Sequence, residues 1–386
     1  MSLLGYALEN IFFALTRFIP FPTKTGLIKI GNPDRNSPVF VTGNYRLTVI
    51  RLKRALKGLN CYLLVANSRG INIWCSTAGG HFTNHSVISV VKTSGIEDLV
   101  DHRKLVLPQL GATGLNHKEL KKKISWEVVW GPVYAKDIPH FVQAEFKKTP
   151  DQSLVHFSLK ERIEMATAWA FPISIVVVLI AILLFHSTDI LLILEVIWGL
   201  SFFIFLTFPL YEPFMRSNYE SGSFRYYDLR LGLFQLIVWV LTLSVIVLQQ
   251  YLTVNSIQRS YVINWTIISL VLIIILTFDL LGNSPTYKSS MSDERFLKIT
   301  LNSEICKGAA YCEVVCPKGC FEVDHVNHKA KIIDANLCVK CGACVAQCPF
   351  DALYYKTAEG QAVLPETIRR FKLNMMGKRM VKIKES

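Results

Sequence analysis

The spacing with the clearest chemical meaning lies near the end of the chain, where eight of the ten cysteines are found. The run CVKCGACVAQCP, residues 338–349, has three cysteines separated by two residues each, a fourth cysteine after three more residues, and then a proline. Thiolates at this spacing hold iron–sulfur clusters: the first three bind one [4Fe-4S] cube and the fourth reaches a second cluster. A zinc ribbon is disfavoured because zinc ribbons use paired C-x2-C motifs.

An earlier run, CKGAAYCEVVCPKGC (306–320), repeats this pattern, with Ala309 at the place of the second cysteine. Residues 285–360 together resemble α+β two-cluster ferredoxins that carry one cluster of each kind, and the resemblance implies two ligand sets. One [4Fe-4S] cluster would be held by Cys316, Cys338, Cys341 and Cys344, and the other cluster by Cys306, Cys312 and Cys348. Three thiolates suit a [3Fe-4S] cluster, or a [4Fe-4S] cluster with one non-cysteine ligand. A cysteine placed like Cys320 would lie beside the intact cluster.

The two remaining cysteines stand apart from this region and need a different explanation. Cys61 lies in an apolar run that predicts a strand, so a buried core thiol is expected there. Cys75, in NIWCSTAGG (72–80), lies between a tryptophan and a run of small residues. No nucleotide-binding fingerprint accompanies it, since GATGLNHKEL lacks the G-x-G-x-x-G spacing and there is no Walker loop. Cys75 is therefore the candidate reactive group of the N-terminal region.

Residues 31–157 alternate short apolar runs with amphipathic segments. Apolar runs at 38–43, 61–67, 104–109 and 126–131 predict strands. The segments NYRLTVIRLKRALKGL, HSVISVVKTSGIEDLVD and NHKELKKKI have the spacing of helices. This alternation predicts an α/β, Rossmann-like domain with a parallel sheet, whose ligand site lies at the carboxyl ends of the strands.

Residues 158–284 contain four apolar segments, each long enough to cross a bilayer as a helix. They are residues 165–185, 190–211, 231–248 and 261–278. An even number of crossings puts both chain ends on the same side. The loop after the second segment carries Arg216, Arg225 and Arg230, so the positive-inside rule predicts a multi-pass protein of the inner cell membrane with both soluble domains cytoplasmic. Glu195, inside the second segment, is either functional or snorkels to the interface.

The charge distribution agrees with a membrane protein. Basic residues outnumber acidic ones 22 to 12 in residues 1–164 and 16 to 11 from residue 285 onward, whereas residues 165–284 carry 4 basic and 6 acidic residues. This pattern does not favour a nucleic-acid partner. The few, clustered cysteines indicate a reducing cytoplasm rather than a secreted disulfide scaffold. Residues 1–30 are predicted to form an amphipathic interfacial or docking segment, and the basic tail 361–386 either lies on anionic lipid or is disordered.

Four motifs connect the α/β region to a known family. SPVFVTGNYRLT (37–48), GINIWCSTAGGHFT (70–83), HRKLVLPQLGATG (102–114) and WGPVYAKDIP (130–139) resemble, in order and spacing, the corrinoid-binding domain of the mercury-methylation corrinoid proteins. That domain is related to the large subunit of the corrinoid iron–sulfur protein of acetyl-CoA synthesis. The resemblance covers residues 31 to about 230 and then 306–349, so the chain is similar to a fusion of the corrinoid protein with its ferredoxin partner.

The resemblance implies a cobalamin-type corrinoid cofactor and a set of residues around it. The cysteine matching Cys75 lies on a cap helix beneath the corrin ring and approaches cobalt as the lower axial ligand. An electron-rich thiolate there would favour release of a methyl group, and the ferredoxin would re-reduce the cobalt. The other matching positions are Asn72 and Trp74 on the cap helix, Thr42 and Asn44 after the first strand, and Gln109, Leu110 and Gly111 in a loop against the corrin.

The chain also departs from this family's pattern. In the cap motif, Ser76 and Thr77 replace small apolar residues, Ala78 replaces a glycine and Gly79 replaces a lysine. No cysteine follows residue 348, although the mercury-methylating ferredoxin has a terminal pair thought to deliver the soft metal. Mercury methylation is therefore weakened as an expectation, and another methyl acceptor is favoured. His81 and His85 are expected on one face of the cap helix, where they either bind a metal, carry protons or are simply solvated.

Three hypotheses follow. The first is an enzyme: a membrane-anchored corrinoid methyltransferase with a built-in ferredoxin, using a methyl donor such as a methyl-pterin or its methyltransferase and an electron-donating reductase. The second is a membrane-tethered electron carrier whose α/β domain serves only for docking. The third, corrinoid-dependent reduction, is disfavoured because such chemistry needs an open lower face that Cys75 would block.

Overall fold

A computed structural model describes residues 3–184, 190–215, 229–281, 296–357, 359–374 and 377–380. Within these ranges the chain forms an α/β unit, a group of apolar helices and a cysteine-rich unit. The α/β unit contains α1 (Leu3–Leu15), β1 (Gly26–Ile30), β2 (Val39–Gly43), α2 (Arg46–Ala55), β3 (Cys61–Ala66), α3 (Ile73–Ala78), α4 (Asn84–Thr93), α5 (Ile96–Leu99), β4 (Lys104–Leu107), a 3-10 turn (Gln109–Thr113), α6 (His117–Ile124), β5 (Glu127–Trp130) and α7 (Ile138–Gln143).

The central sheet has the strand order β1-β3-β2-β4-β5. Strands β2 to β5 run parallel, which confirms the predicted α/β architecture, and β2 and β3 are buried along their whole length. Alternate side chains of β2 enter the cores on the two faces of the sheet: Val39 and Val41 pack on one face and Phe40 on the other. Because both faces are covered, these strands read as continuous apolar runs in the sequence.

The edge strand β1 was not among the predicted strands. It pairs antiparallel with β3, from Gly26 opposite Val65 to Ile30 opposite Cys61. Its side chains are mostly half-buried, as expected for a strand at the edge of a sheet. The predicted N-terminal segment of residues 1–30 therefore divides into a helix and a strand of the central sheet.

The apolar region contains α8 (Leu159–Leu184), α9 (Ile190–Leu206), α10 (Phe208–Met215), α11 (Leu229–Val254), α12 (Arg259–Leu276) and α13 (Phe278–Leu281). Three helices, α8, α11 and α12, are long and apolar enough to cross a membrane, and a fourth span exists if the bent pair α9 and α10 crosses together. The pair bends by 63° at Thr207, between two helices that the sequence predicts as one segment. Arg162 of α8 donates a hydrogen bond to the Leu206 carbonyl at this break, where a helix end leaves carbonyls without helical partners.

The sequence analysis singled out four charged residues in the apolar region, and the structure describes two of them. Glu195 is exposed on α9. Arg230 donates a hydrogen bond to the Phe214 carbonyl. Arg216 and Arg225, on which the predicted orientation mainly depends, lie outside the described residues.

The cysteine-rich unit contains β6 (Lys298–Leu301), α14 (Tyr311–Val315), β7 (Phe321–Asp324), β8 (Lys329–Ile332), α15 (Ala343–Gln347), β9 (Leu353–Lys356), β10 (Ala362–Val363), α16 (Pro365–Arg370), β11 (Phe371–Asn374) and β12 (Gly377–Met380). The internal repeat of the sequence is visible in the backbone. Helices α14 and α15 start at equivalent positions, and Ala310 and Gly342, just before them, both adopt the left-handed conformation. Strand β10 pairs with β9, so this unit extends past residue 360, where the tail is predicted to start.

The cap helix α3 packs tightly on the segment that follows the 3-10 turn. A Cβ atom built on Gly114 would lie 2.2 Å from the Thr77 methyl group. We expect Gly114→Ala to lower the free energy of unfolding by about 1–3 kcal/mol, because the added atom forces α3 away from the turn. Calorimetry of the purified chain measures this loss.

The double variant Gly114→Ala, Thr77→Ser is the matched control, since serine lacks the methyl group that the new Cβ would meet. Its stability should recover part of the loss. Equal destabilisation of the single and double variants would contradict close packing at this contact.

Candidate functional site

The predicted reactive thiol lies at the start of the short cap helix α3. Asn72 caps this helix, its Oδ1 accepting a hydrogen bond of 2.9 Å from the backbone N–H of Cys75. The neighbouring Trp74 and Ile73 side chains are buried in the domain, whereas Cys75 is exposed. The helix is thus anchored by apolar residues on one side and presents the Cys75 residue to its surroundings on the other.

Two of the departures in the cap motif have a structural role. Ser76 is fully buried, and its hydroxyl donates to the Ser68 carbonyl at 3.0 Å, which ties α3 to the loop after β3. Thr77 is also fully buried and donates to the Ile73 carbonyl within the helix. Hydroxyl side chains at these positions are therefore satisfied internally, which removes the desolvation cost of burying them.

Asn44, at the end of β2, organises two loops. Its Oδ1 accepts hydrogen bonds from the backbone N–H groups of Ser68 (2.8 Å) and Gly70 (3.0 Å), and its Nδ2 donates to the Thr23 carbonyl (3.2 Å). Thr42, two residues earlier, is buried inside β2. Asn44 thus shapes the strand-end edge, the loops at the carboxyl ends of β2 to β5, by holding two of its segments together.

The 3-10 turn after β4 contains the other three predicted cofactor residues. Gln109 is buried, donates to the Ser153 carbonyl at 2.8 Å and accepts from the Lys148 ammonium. Leu110 is partly buried, and Gly111 is buried against Phe82. The structure therefore brings the predicted residues together at one edge, with Gln109 holding the turn in place through its own amide.

Two buried polar atoms at this edge have no hydrogen-bond partner: Oγ1 of Thr113, in the 3-10 turn, and Nε1 of Trp130, at the end of β5. Buried polar atoms are normally paired, so unpaired ones indicate a place for a further group. Both atoms lie on the same strand-end edge as the exposed residue Cys75.

The expectation that His81 and His85 share the cap helix is wrong. Helix α3 ends at Ala78, His81 lies in the following turn, and His85 belongs to α4. The glycine pair Gly79 and Gly80 ends the cap helix, with Gly80 in the left-handed conformation that glycine adopts most easily.

One set of three cysteines lines a cavity. Cys306, Cys312 and Cys348 line this cavity together, and Ala309, at the place of the missing cysteine, lines it too. Burial raises the pKa of Cys312 to about 12, and the neighbouring Cys348 and Cys306 thiols add to this rise. Backbone N–H groups of Ala330 and Ala352 point at the Cys306 and Cys348 sulfurs, both at 3.4 Å. This donor set fits an iron–sulfur cluster with three thiolates.

The other set forms a second group of sulfurs. Cys344 is buried, and its pKa is raised by burial first and then by the nearby Cys338, Cys341 and Cys316 thiols. Cys320 lies between Cys316 and Cys338 and hydrogen-bonds to both, which keeps its own pKa raised and that of Cys316 lowered. In the described residues, no three His, Cys, Asp or Glu side chains are placed to hold a single metal ion.

The α/β unit and the cysteine-rich unit are joined by a buried amide. Gln347 is fully buried, and its Nε2 donates to the carbonyls of Ala112 (2.8 Å) and Leu115 (2.6 Å). Both acceptors are carbonyls, so the orientation of the amide is determined, and its Oε1 must accept from Nδ1 of His117 at 2.8 Å. His117 also stacks on the Tyr311 ring at 4.5 Å. Residues next to Cys312 and Cys348 therefore touch the chain that follows β4.

Lys148 makes a second connection between the two units. Its ammonium donates to Gln109 in the 3-10 turn, to the Gly131 carbonyl after β5 at 3.2 Å, and to the Val314 carbonyl of α14 at 2.8 Å. Burial lowers its pKa to about 7. Lys148 thus links the strand-end edge directly to the cysteine-rich unit, and a single hydrophobic core runs through both.

The sequence analysis did not single out Gln347, His117 or Lys148. A signal for Gln347 existed: in the aligned repeat it replaces Val315, so a polar residue stands where the equivalent helix buries an apolar one. His117 and Lys148 gave no such signal, because the partners of His117 and the Val314 partner of Lys148 lie in the other unit.

Replacing Ala309 by cysteine should complete the first ligand set. We expect the wild-type protein, isolated under anaerobic conditions and then oxidised, to show the electron paramagnetic resonance signal of a [3Fe-4S] cluster. In Ala309→Cys this signal should disappear and the iron content per chain should rise, because a fourth thiolate allows a complete cube.

Cys320→Ala is the control for the cluster experiment, since Cys320 belongs to neither ligand set and its loss should leave the signal intact. A wild-type protein without a [3Fe-4S] signal, carrying two complete cubes, would contradict the assignment.

The junction should weaken in mild acid. Burial lowers the pKa of His117 below its usual 6.5, so the folded chain binds fewer protons than the unfolded chain in this range. The contribution of His117 to the free energy of unfolding is fully present above pH 6.5. It decreases as the pH falls, by at most about 1.4 kcal/mol per pH unit. His117→Phe keeps the stacking but cannot titrate, so its unfolding midpoint should depend less on pH between 6.5 and 5. Identical pH profiles for the two proteins would refute a buried neutral histidine.

Comparison with known proteins gives two separate family matches. Residues 14–142 match the family described as CO dehydrogenase/acetyl-CoA synthase delta subunit, and residues 331–354 match a 4Fe-4S binding domain. The first match contains the whole strand-end edge with Cys75. The second contains the run from Cys338 to Cys348 but does not reach the earlier repeat.

Individual relatives match about a third of this chain. The acetyl-CoA decarbonylase/synthase complex subunit gamma of Methanopyrus kandleri is 36% identical over 128 residues, 33% of this chain and 27% of the relative. The subunit of the same name is 31% identical over 131 residues in Methanocaldococcus jannaschii (33% of this chain, 26% of the relative) and 34% over 116 in Archaeoglobus fulgidus (30% and 24%). The chain thus spans about a quarter of the length of these relatives. It joins a domain similar to proteins of acetyl-CoA synthesis, which confirms that part of the predicted resemblance, to a 4Fe-4S binding domain.

Proposed function

We propose that this chain is a membrane-anchored corrinoid iron–sulfur protein that transfers methyl groups through a cobalt ligated by Cys75. The observation that carries the proposal is the arrangement of two sites on one rigid unit. The edge with the exposed Cys75 and the unit with the clustered cysteines share a buried junction formed by Gln347 and Lys148. The similarity of residues 14–142 to subunits of acetyl-CoA synthesis supports a one-carbon role.

The residues of the strand-end edge would have different roles in binding the cofactor. Cys75 is the ligand, and Asn72 fixes the backbone that carries it. Asn44 and Gln109 hold the surrounding loops, while the half-buried Leu110 and the buried Thr42, Trp74 and Gly111 would pack behind the cofactor. When bound, a corrinoid supplies a cobalt centre that accepts and releases methyl groups and that must be reduced when it becomes oxidised.

The junction supports an internal route for electrons. Gln347 precedes Cys348 in the chain and is hydrogen-bonded to Ala112, in the turn that begins at Gln109. The cysteine-rich unit would hold one [4Fe-4S] cluster and a second cluster, [3Fe-4S] or [4Fe-4S], and would pass electrons to the strand-end edge across this contact. An external reductase would reduce the clusters again after they have given up their electrons.

Membrane anchoring is supported by the three apolar helices and the bent pair. If the pair forms one span, the chain crosses four times, and both soluble units lie on the same side, which the positive-inside rule assigns to the cytoplasm of the inner membrane. The methyl donor would be a methyl-pterin or the methyltransferase that uses it. The acceptor need not be mercury, because residues 76–79 depart from the cap motif of the mercury-methylation proteins.

The decisive variant is Cys75→Ala. Purified wild-type protein should show cobalt–corrin absorbance. The variant should show a changed corrin spectrum and at least about a tenfold slower methyl transfer, because the side chain that would hold the metal strongly influences its reactivity.

Cys61→Ala is the matched control. Cys61 is fully buried in the sheet, where burial raises its pKa to about 11, so its loss should leave the corrin spectrum unchanged. Unchanged turnover in Cys75→Ala would refute the proposal that Cys75 holds the cobalt. A wild-type protein with iron–sulfur bands but no corrin would favour the second hypothesis, a membrane-tethered electron carrier.

A further inference from the structure

Helix α1 has an unusual surface. All of its exposed residues are apolar, whereas a helix on the surface of a soluble protein turns its polar residues to water. The spacing of four and then three or four residues puts most of them on one face. They are Leu3 (70% exposed), Leu4 (70%), Leu8 (61%), Ile11 (56%) and Phe12 (53%).

The polar residues of α1 point the other way and are paired with arginines of α2. Glu9 accepts a charged hydrogen bond of 2.9 Å from Arg46, and Asn10 accepts one of 2.8 Å from Arg51. The Arg54 guanidinium lies 4.3 Å from the centre of the Tyr6 ring. These contacts fix the rotation of the helix about its axis, so its apolar face is turned outward by the fold itself.

The apolar face of α1 continues onto a helix that is long and apolar enough to cross a membrane. Arg51 also binds both carboxylate oxygens of Glu164 in the first turns of α8, at 2.8 and 3.0 Å. Just beyond α1, the Phe18 ring lies 4.9 Å from the Trp169 ring of α8. Phe18 and Ile19 are each half-exposed, and Ile163 of α8 is 40% exposed, so apolar surface runs from one helix to the other.

We infer that α1 lies in the plane of the bilayer interface, with this apolar face among the acyl chains of phospholipids. The inference rests on the proposed insertion of α8 in a membrane. Because α1 packs beside the first turns of α8, a bilayer that surrounds α8 also reaches α1, and burial of its apolar side chains there is favourable.

The position of α1 at the membrane surface also determines where the strand-end edge lies. The chain leaving α1 crosses the loops after β2 and β3: Phe21 donates to the Gly70 carbonyl at 3.2 Å, and Thr23 donates to the Asn44 carbonyl at 2.7 Å. A Cβ on Gly70 would lie 2.5 Å from the Pro22 nitrogen, so the two segments are in close contact. The edge that carries Cys75 is thereby tied to a helix at the membrane surface.

The test uses the full chain reconstituted in vesicles of phosphatidylcholine and phosphatidylglycerol. A photo-crosslinking benzoylphenylalanine replaces Ile11, and mass spectrometry identifies the adducts. Lipid adducts are expected at this position, and none at the control position Lys122, an exposed residue of α6. In the Leu8→Glu, Phe12→Glu background the lipid adducts should be lost, whereas Leu8→Met, Phe12→Leu should keep them.

Adducts of Ile11 with a second copy of the chain, or no lipid adducts, would overturn the inference. Carbonate extraction of the vesicles tests the premise separately, because release of the chain would show that α8 is not inserted. The result does not depend on a corrinoid, so a chain without methyl-transfer activity can still show the lipid adducts.

Discussion

The structure depends on one buried hydrogen-bonding group, the side-chain amide of Gln347. Its two N–H groups and its oxygen are all satisfied by the chain of the α/β unit, and it is fully closed off from water. Separating the two units would exchange the hydrogen bonds to Ala112 and Leu115 for hydrogen bonds to water, and the loss of each costs about 0.5–1.5 kcal/mol net. The continuous apolar core adds to this cost, so the two units behave as one body.

A fixed junction has a kinetic consequence for electron transfer. A separate ferredoxin has to find its partner by diffusion, whereas a docked one presents its clusters at a constant distance. Lys148 contributes to this arrangement because one ammonium contacts the 3-10 turn, the end of β5 and helix α14 together. The partners of Lys148 on both sides of this junction are uncharged oxygens.

In the cap motif, hydroxyl residues replace small apolar residues, and the short helix α3 still forms. Serine and threonine at 76 and 77 would be costly as buried, unpaired hydroxyls, but each donates to a nearby carbonyl. Gly114 provides the space for the Thr77 methyl group. The exposed position of Cys75 is therefore maintained by contacts on the opposite side of a very short helix, together with the Asn72 cap.

Local patterns in the sequence determined the parallel strands, their helices, the apolar segments and the cysteine spacing, because each depends on neighbours within a few turns of chain. Only the tertiary structure decided the rest. Strand β1 forms because a distant edge of β3 is open to it, and the helix break at Thr207 separates two apolar runs that read as one. His81 and His85 fall in different elements because the helix ends at a glycine pair. Gln347, His117 and Lys148 gain their roles from partners in the other unit, and no local pattern records which distant groups a polar side chain will meet.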